Sequence, residues 1–194
     1  ILDLAQIDDA LLNDKQLRVK SHTLANSIYF DVPGAAASLR PHPLPACFID
    51  FETVQFAVPI WAGTRPYQQI PFQFSAHHLG ANGELTHQGF LDLSGADPSP
   101  RFATALLVAC GESGPVFVYN KAFEGARINE LAERFRRHGP ALRRLGERLV
   151  DLLPIAAGHY YHPSQQGSWS IKRVLPAMVP ELSYENLAGV QEGG

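Results

Sequence analysis

Cysteine is scarce in this sequence: Cys47 and Cys110 are the only two in 194 residues. A pair cannot make the disulfide framework of a small secreted domain, so a packed core has to hold the fold. Long apolar runs are missing as well. None approaches the ~20 residues that would cross a bilayer, which argues against a membrane partner, and the first residues lack a signal-peptide pattern. A reduced, cytoplasmic location is the default expectation. Charge is also light, at 18% of residues with a net of −3. That argues against non-specific nucleic-acid binding over the whole surface while leaving any single face open. There is no internal repeat, no low-complexity tract and no His/Cys spacing of zinc-site type. Neither cysteine has a base paired with it in the sequence, which disfavours a thiol nucleophile. The chain starts at Ile1 without an initiator Met and stops at Gln191-Glu192-Gly193-Gly194, as a piece of a longer polypeptide would. The 45% hydrophobic content is ordinary for a globular domain with a core of its own.

The most informative stretch is Ala46-Cys47-Phe48-Ile49-Asp50-Phe51-Glu52-Thr53. It reads as a short apolar strand, in which side chains two apart share a face, so Asp50 and Glu52 point the same way. Two neighbouring carboxylates repel and are costly to desolvate. Either the strand end reaches water and both are solvated, or a divalent cation bridges them; magnesium and manganese take such hard oxygen ligands.

The rest of the chain gives an α/β pattern. Residues 1–45 read as an arm, with a helix over Asp8–Val19 and a short one after Pro33-Gly34, before Pro41, Pro43 and Pro45 stiffen the approach to the acidic strand. Residues 46–194 read as the domain. Ile70–His77 and Leu85–Leu93 alternate as strands around an Asn82-Gly83 turn, a hairpin. A helix over Pro100–Cys110 leads to an apolar strand, Pro115–Asn120, expected at the centre of the sheet. Helical sequence follows over Phe123–Phe135, Leu142–Leu149 and Ser170–Met178, the last limited by Pro176.

The second acidic position lies in the helix after that apolar strand. Glu124, Ile128, Leu131 and Phe135 fall at i, i+4, i+7 and i+11, which places Glu124 on the core-facing stripe. The helix dipole favours an acid in the first turn by only ~0.3–1 kcal/mol, far less than burying an unpaired carboxylate costs. A cation shared with Asp50 and Glu52 would resolve the conflict, and Asn120 could fix the geometry by hydrogen bonding. Asp151 has two readings. If the preceding helix runs through residue 153, Asp151 faces water; if the helix ends near Arg148 and an extended segment begins, Asp151 can turn toward the other acids.

Phe48–Thr53 together with Tyr119-Asn120-Lys121-Ala122-Phe123-Glu124 resembles the first two motifs of DnaQ-like (DEDD) 3′–5′ exonucleases. More closely, the run from Gly63 to Phe74, with Thr64-Arg65-Pro66-Tyr67-Gln68-Gln69 at its heart, and Gly167–Lys172 look like an uncharacterised bacterial family placed in that superfamily. The likeness covers residues from about 46 to the end. It implies an RNase H-like fold, a mixed five-stranded sheet flanked by helices, and two-metal phosphodiester hydrolysis of DNA or RNA with Mg2+ or Mn2+. Asp50, Glu52 and Asp151 carry over as metal carboxylates. Glu124 stands where the superfamily usually has Asp. No last Tyr-x-x-x-Asp or His-x-x-x-x-Asp motif precedes Gly194, so this stretch is expected to bind metal weakly, with one ion or none. Thr53, Arg65, Asn120 and His162 are the expected substrate contacts.

Other features carry weaker signals. Arg134, Arg136, Arg137, Arg143, Arg144 and Arg148 could track a phosphate backbone or form a solvated face. Arg65 could grip a phosphate or pair with an acid. His159 and His162 could include a general base or stack on a nucleobase, whereas His77 and His78 read as structural strand residues. Trp61 and Trp169 fit as covers of the core. The alternatives to a nuclease are an inactive nucleic-acid-binding module of the same fold, and a structural domain within a larger protein.

Overall fold

The structure, a computed structural model, describes residues 3–182. In chain order its elements are α1 (Asp14–Leu24), β1 (Tyr29–Phe30), α2 (Val32–Leu39), β2 (Ala46–Val54), β3 (Ile70–Leu79) and β4 (Leu85–Leu91). Then come α3 (Ser99–Cys110), β5 (Val116–Val118), α4 (Lys121–Arg134), α5 (Gly139–Glu147), β6 (Leu149–Asp151), α6 (Leu152–His159), β7 (Tyr160–Tyr161) and α7 (Ile171–Met178). They fall into two compact units, residues 41–152 and the segments on either side of that stretch.

Residues 41–152 form an α/β layer around a five-stranded mixed sheet of order β4-β3-β2-β5-β6. β2, β5 and β6 run parallel, while β3 is antiparallel to both β2 and β4. The register of β2 puts Cys47, Ile49 and Phe51 on one face, buried. Helices α3, α4 and α5 cover that face through Phe102, Leu106, Ile128, Leu131, Leu142 and Leu145. The Phe102 ring meets Phe51 and Phe74 edge-on at 5.1 and 5.4 Å. Removing a side chain of this size from water stabilises the fold by about 1.5–3 kcal/mol. Val116, Phe117 and Val118 are all buried, as expected of a strand flanked on both sides. Phe48, Asp50 and Glu52 lie on the opposite face, where the Phe48 ring stacks on Phe117 at 4.9 Å.

The other unit has its own small core of Tyr160, Tyr161, Trp169 and Val174. β1 and β7 pair antiparallel there. His159 lies along α2: its Nδ1–H donates to Asp31 Oδ2 (2.9 Å), and its Nε2 is 3.0 Å from Ser38 Oγ. Asp31 also accepts from the Gly34 N–H, and these bonds hold its carboxyl below the usual carboxylate range. Acid, imidazole and hydroxyl stand in the order of a catalytic triad. Here, however, the acid is the N-cap of α2 and the hydroxyl lies in the same helix, so the imidazole clamps that helix.

Several expectations shift. The helix expected over Asp8–Val19 is α1, starting at Asp14, because the Asn13 side chain and Gln16 form a capping box; residues 9–11 make a separate 3-10 turn capped by Asp8. The segment expected helical to Leu149 ends at Glu147, and Leu149 opens β6. α6, β1 and β7 carry no clear sequence signal. The chain divides after residue 40, near the expected end of the arm, but the residues beyond 152 group with that arm, since β7 pairs β1. Residues 183–194, on which the missing last motif partly rests, lie outside the described residues.

Candidate functional site

The parallel strands β5 and β6 end together beside the middle of the longer β2, and acids collect near that point. Asp50 lies in β2, two residues past Phe48, which pairs with Phe117 of β5. Asp151 closes β6 opposite Val118, the last residue of β5. The chain leaves β5 through Tyr119 and Asn120 and enters α4, whose first turn holds Glu124. The carboxyl ends of parallel strands, beside a helix N-terminus, are the usual ligand position of open α/β sheets. Asp151 thus follows the extended alternative: α5 stops at Glu147, the Arg148 carbonyl accepts from the Val116 N–H (3.0 Å), and pairing with β5 begins there.

Glu124 is 2% exposed, and its Oε2 has no hydrogen-bond partner. Its carboxyl is pushed up to about 7, first by burial and then by the negative charges of Asp50 and Asp151. A hydrogen bond from its own backbone N–H pulls the other way. The three acids therefore share one electrostatic neighbourhood. Asp50 is exposed, yet desolvation raises its carboxyl, partly offset by the Phe51 backbone N–H. Tyr119 belongs to the same neighbourhood: its phenol is pushed up to about 12 by burial and by Asp151. Glu52 is half-buried and joined to the group through its strand position alone, beside a register irregularity between Glu52 and Thr53.

Asn120 acts through its backbone. It adopts φ 78°, a left-handed conformation that asparagine tolerates better than most residues, and its N–H donates to Asp151 Oδ1 (3.1 Å). Lys121 Nζ donates to the Leu149 carbonyl (2.8 Å), tying the start of α4 to β6. Neither bond, one from a backbone N–H and one from a side-chain ammonium, could be read from composition.

The other expected site residues serve the framework. Arg65 pairs with Glu130 of α4 (3.1 Å), the acid-pairing alternative. Arg127 binds Glu130 and Gln69. The Thr64–Gln69 run is thus a loop stapled to α4. Thr53 pairs with Pro71 in the β2–β3 ladder. His162 caps the 3-10 turn Pro163–Gln165 through its Nδ1, which accepts from the Ser164 N–H (3.1 Å). Trp61 donates from Nε1 to the Gly95 carbonyl, and Trp169 packs in the second core. Of the arginines, Arg148 donates to the carbonyls of Cys110, Gly111, Ser113 and Gly114, and Arg134 to Ser99, Asp97 and Ala62. Arg136, Arg137, Arg143 and Arg144 are exposed. Cys47 Sγ lies 3.9 Å from His78 Nε2, but both thiols are buried.

Among the described residues, no three His, Cys, Asp or Glu side chains stand close enough to hold a metal ion as placed. The donor set fits a hard divalent cation in kind, however. It is all carboxylate, and one of its oxygens is buried without a partner.

An α/β domain with acids gathered near the ends of its parallel strands is the class that fold and site define. The family model described as "Domain of unknown function (DUF2779)" matches residues 47–170, and the chain belongs to this family. No curated protein matches the chain, and no solved structure does.

Proposed function

We propose that the protein is a divalent-metal-dependent phosphodiesterase acting on DNA or RNA, a 3′–5′ exonuclease of the RNase H-like, DnaQ-like type. The observation that carries the reading is Glu124: a buried carboxyl with an unpartnered oxygen, raised by its burial and then by two further acids, Asp50 and Asp151, on neighbouring strands. An arrangement that makes three like charges repel costs stability, and a bound cation is the general relief. The mixed five-stranded sheet and the two sequence motifs support the same reading.

Asp50, Glu124 and Asp151, with Glu52 next to Asp50, would hold Mg2+ or Mn2+. When bound, such an ion neutralises developing charge at phosphorus and lowers the pKa of a coordinated water. The chain supplies the rest. Lys121 and the Asn120 N–H fix β6 and Asp151 against α4. The core side of α4 holds Glu124 in a desolvated position where its charge acts strongly. Asp50, on the open face, is the acid that substrate and solvent reach.

The test is degradation of end-labelled single-stranded DNA and RNA with manganese, comparing the wild type with Asp50→Asn. Loss of activity in a variant that still folds is expected; equal turnover in both would remove the acids from the chemistry.

A further inference from the structure

The face that carries Asp50 continues across the hairpin, and its rows follow from the ladder register. Phe48 is opposite His77, which is opposite His87; Asp50 is opposite Ser75, which is opposite Gly89; Glu52 is opposite Gln73, which is opposite Leu91. The other face of the hairpin packs Phe74, Ala76 and Phe90 into the core. Beside β5 the open face is apolar, Phe48 on Phe117. Toward the edge strand it is accessible: His77, His87 and Gly89 are exposed, Ser75 and Gln73 are half-buried, and the exposed Leu85 and Leu91 of β4 flank this polar stretch.

Three observations set this row apart from an ordinary solvated sheet face. Ser75 Oγ and His87 Nε2 are 2.9 Å apart, and the His77 and His87 rings lie 4.5 Å apart, so hydroxyl and imidazoles form one group beside Asp50. Neither β3 nor β4 carries a Lys or Arg. A permanent cation there would pair with Asp50 and compete with a metal; imidazole and hydroxyl offer hydrogen-bond donors without doing so. Gly89 also has no backbone reason to be glycine. Its φ is not positive, and a Cβ there would make only ordinary contacts, 3.6 Å to His87 Cε1 and to the Phe74 carbonyl. Glycine weakens a strand interior and marks places where another chain comes close.

We propose that Ser75, His77 and His87, with the bare backbone at Gly89, bind the phosphodiester backbone of a single-stranded nucleic acid leading to Asp50; this rests on the phosphodiesterase reading. By strand spacing and rise, His87 lies roughly 12 Å from Asp50, so the row holds phosphates next to the reacting one. The exposed arginines do not serve this track. Arg136 and Arg137 follow the far end of α4, about 18 Å along its axis from Glu124, in the helical layer on the other face of the sheet.

The experiment is fluorescence anisotropy of labelled single-stranded DNA and RNA without metal, on the wild type, the His77→Ala/His87→Ala double variant and Gly89→Val. Valine suits a strand, so Gly89→Val keeps the test informative if the double variant folds poorly. Each variant is expected to bind about ten-fold more weakly or worse, the scale of one lost hydrogen bond to a charged group. Unchanged binding in Gly89→Val and in a folded double variant overturns the proposal, as does a wild type that binds neither nucleic acid. Manganese-dependent hydrolysis of bis(p-nitrophenyl) phosphate by the wild type, run in parallel, separates the two ideas. If binding falls in the variants while the wild type hydrolyses nothing, the binding row stands and the catalytic reading fails.

Discussion

Replacing Glu124 by Gln should make the protein more stable at alkaline pH, which is unusual for the removal of a charged group. In the unfolded chain this carboxyl loses its proton near its ordinary value of 4.5; in the folded protein it keeps it to about 7. Between those values the folded state binds more protons, so stability present at low pH is lost as pH rises. At about 1.4 kcal/mol per unit, the full loss is about 3 kcal/mol, of which about 2.5 falls between about pH 5 and pH 8. The side chain is almost fully buried, so solvent screening takes little from this figure. Gln keeps the shape and does not ionise. Urea denaturation near pH 5 should therefore show the two proteins within about 1 kcal/mol, and near pH 8 the variant should be more stable by about 2–3 kcal/mol. A variant that is less stable near pH 8 would refute the reasoning, because it would mean that the ionised carboxylate has a partner in the fold.

Two further predictions concern the framework. Arg148→Ala should lower stability by about 2 kcal/mol or more in thermal or urea unfolding, since one guanidinium serves four carbonyls; Arg148→Lys should recover only part of this, because an ammonium cannot reproduce the planar fork. Gly34→Ala should loosen the α2 clamp, because the added Cβ would lie 2.6 Å from His159 Nδ1; amide exchange in α2 should speed up, and unchanged protection would show that the clamp carries no weight.

The acidic strand, the hairpin and the burial of Glu124 were legible because each rests on local periodicity. Cys47, Ile49 and Phe51 alternate with acids, Asn82-Gly83 marks a turn, and Glu124 repeats with Ile128 and Leu131. Asp151 was ambiguous because Leu142, Leu145, Leu149 and Leu152 fit a helix that the structure ends at Glu147. What ends it is long-range: Arg148 is held by carbonyls some 35 residues earlier, and Leu149 pairs with Val116. Arg65 is likewise spoken for by Glu130, 65 residues away, which no local pattern announces. His77 and His78 share a strand but not a face. The His77 face became meaningful only when the register set Ser75 beside Asp50.

Asp50, Glu124 and Asp151 are proposed to form one divalent-cation site. Its most direct test is manganese binding, followed by electron paramagnetic resonance near pH 8, in the wild type and in Asp50→Asn, Glu124→Gln and Asp151→Asn. A weak site is expected in the wild type and each substitution should diminish it, with every variant still folded. Binding that is absent from the wild type, or equal in all four proteins, would contradict it.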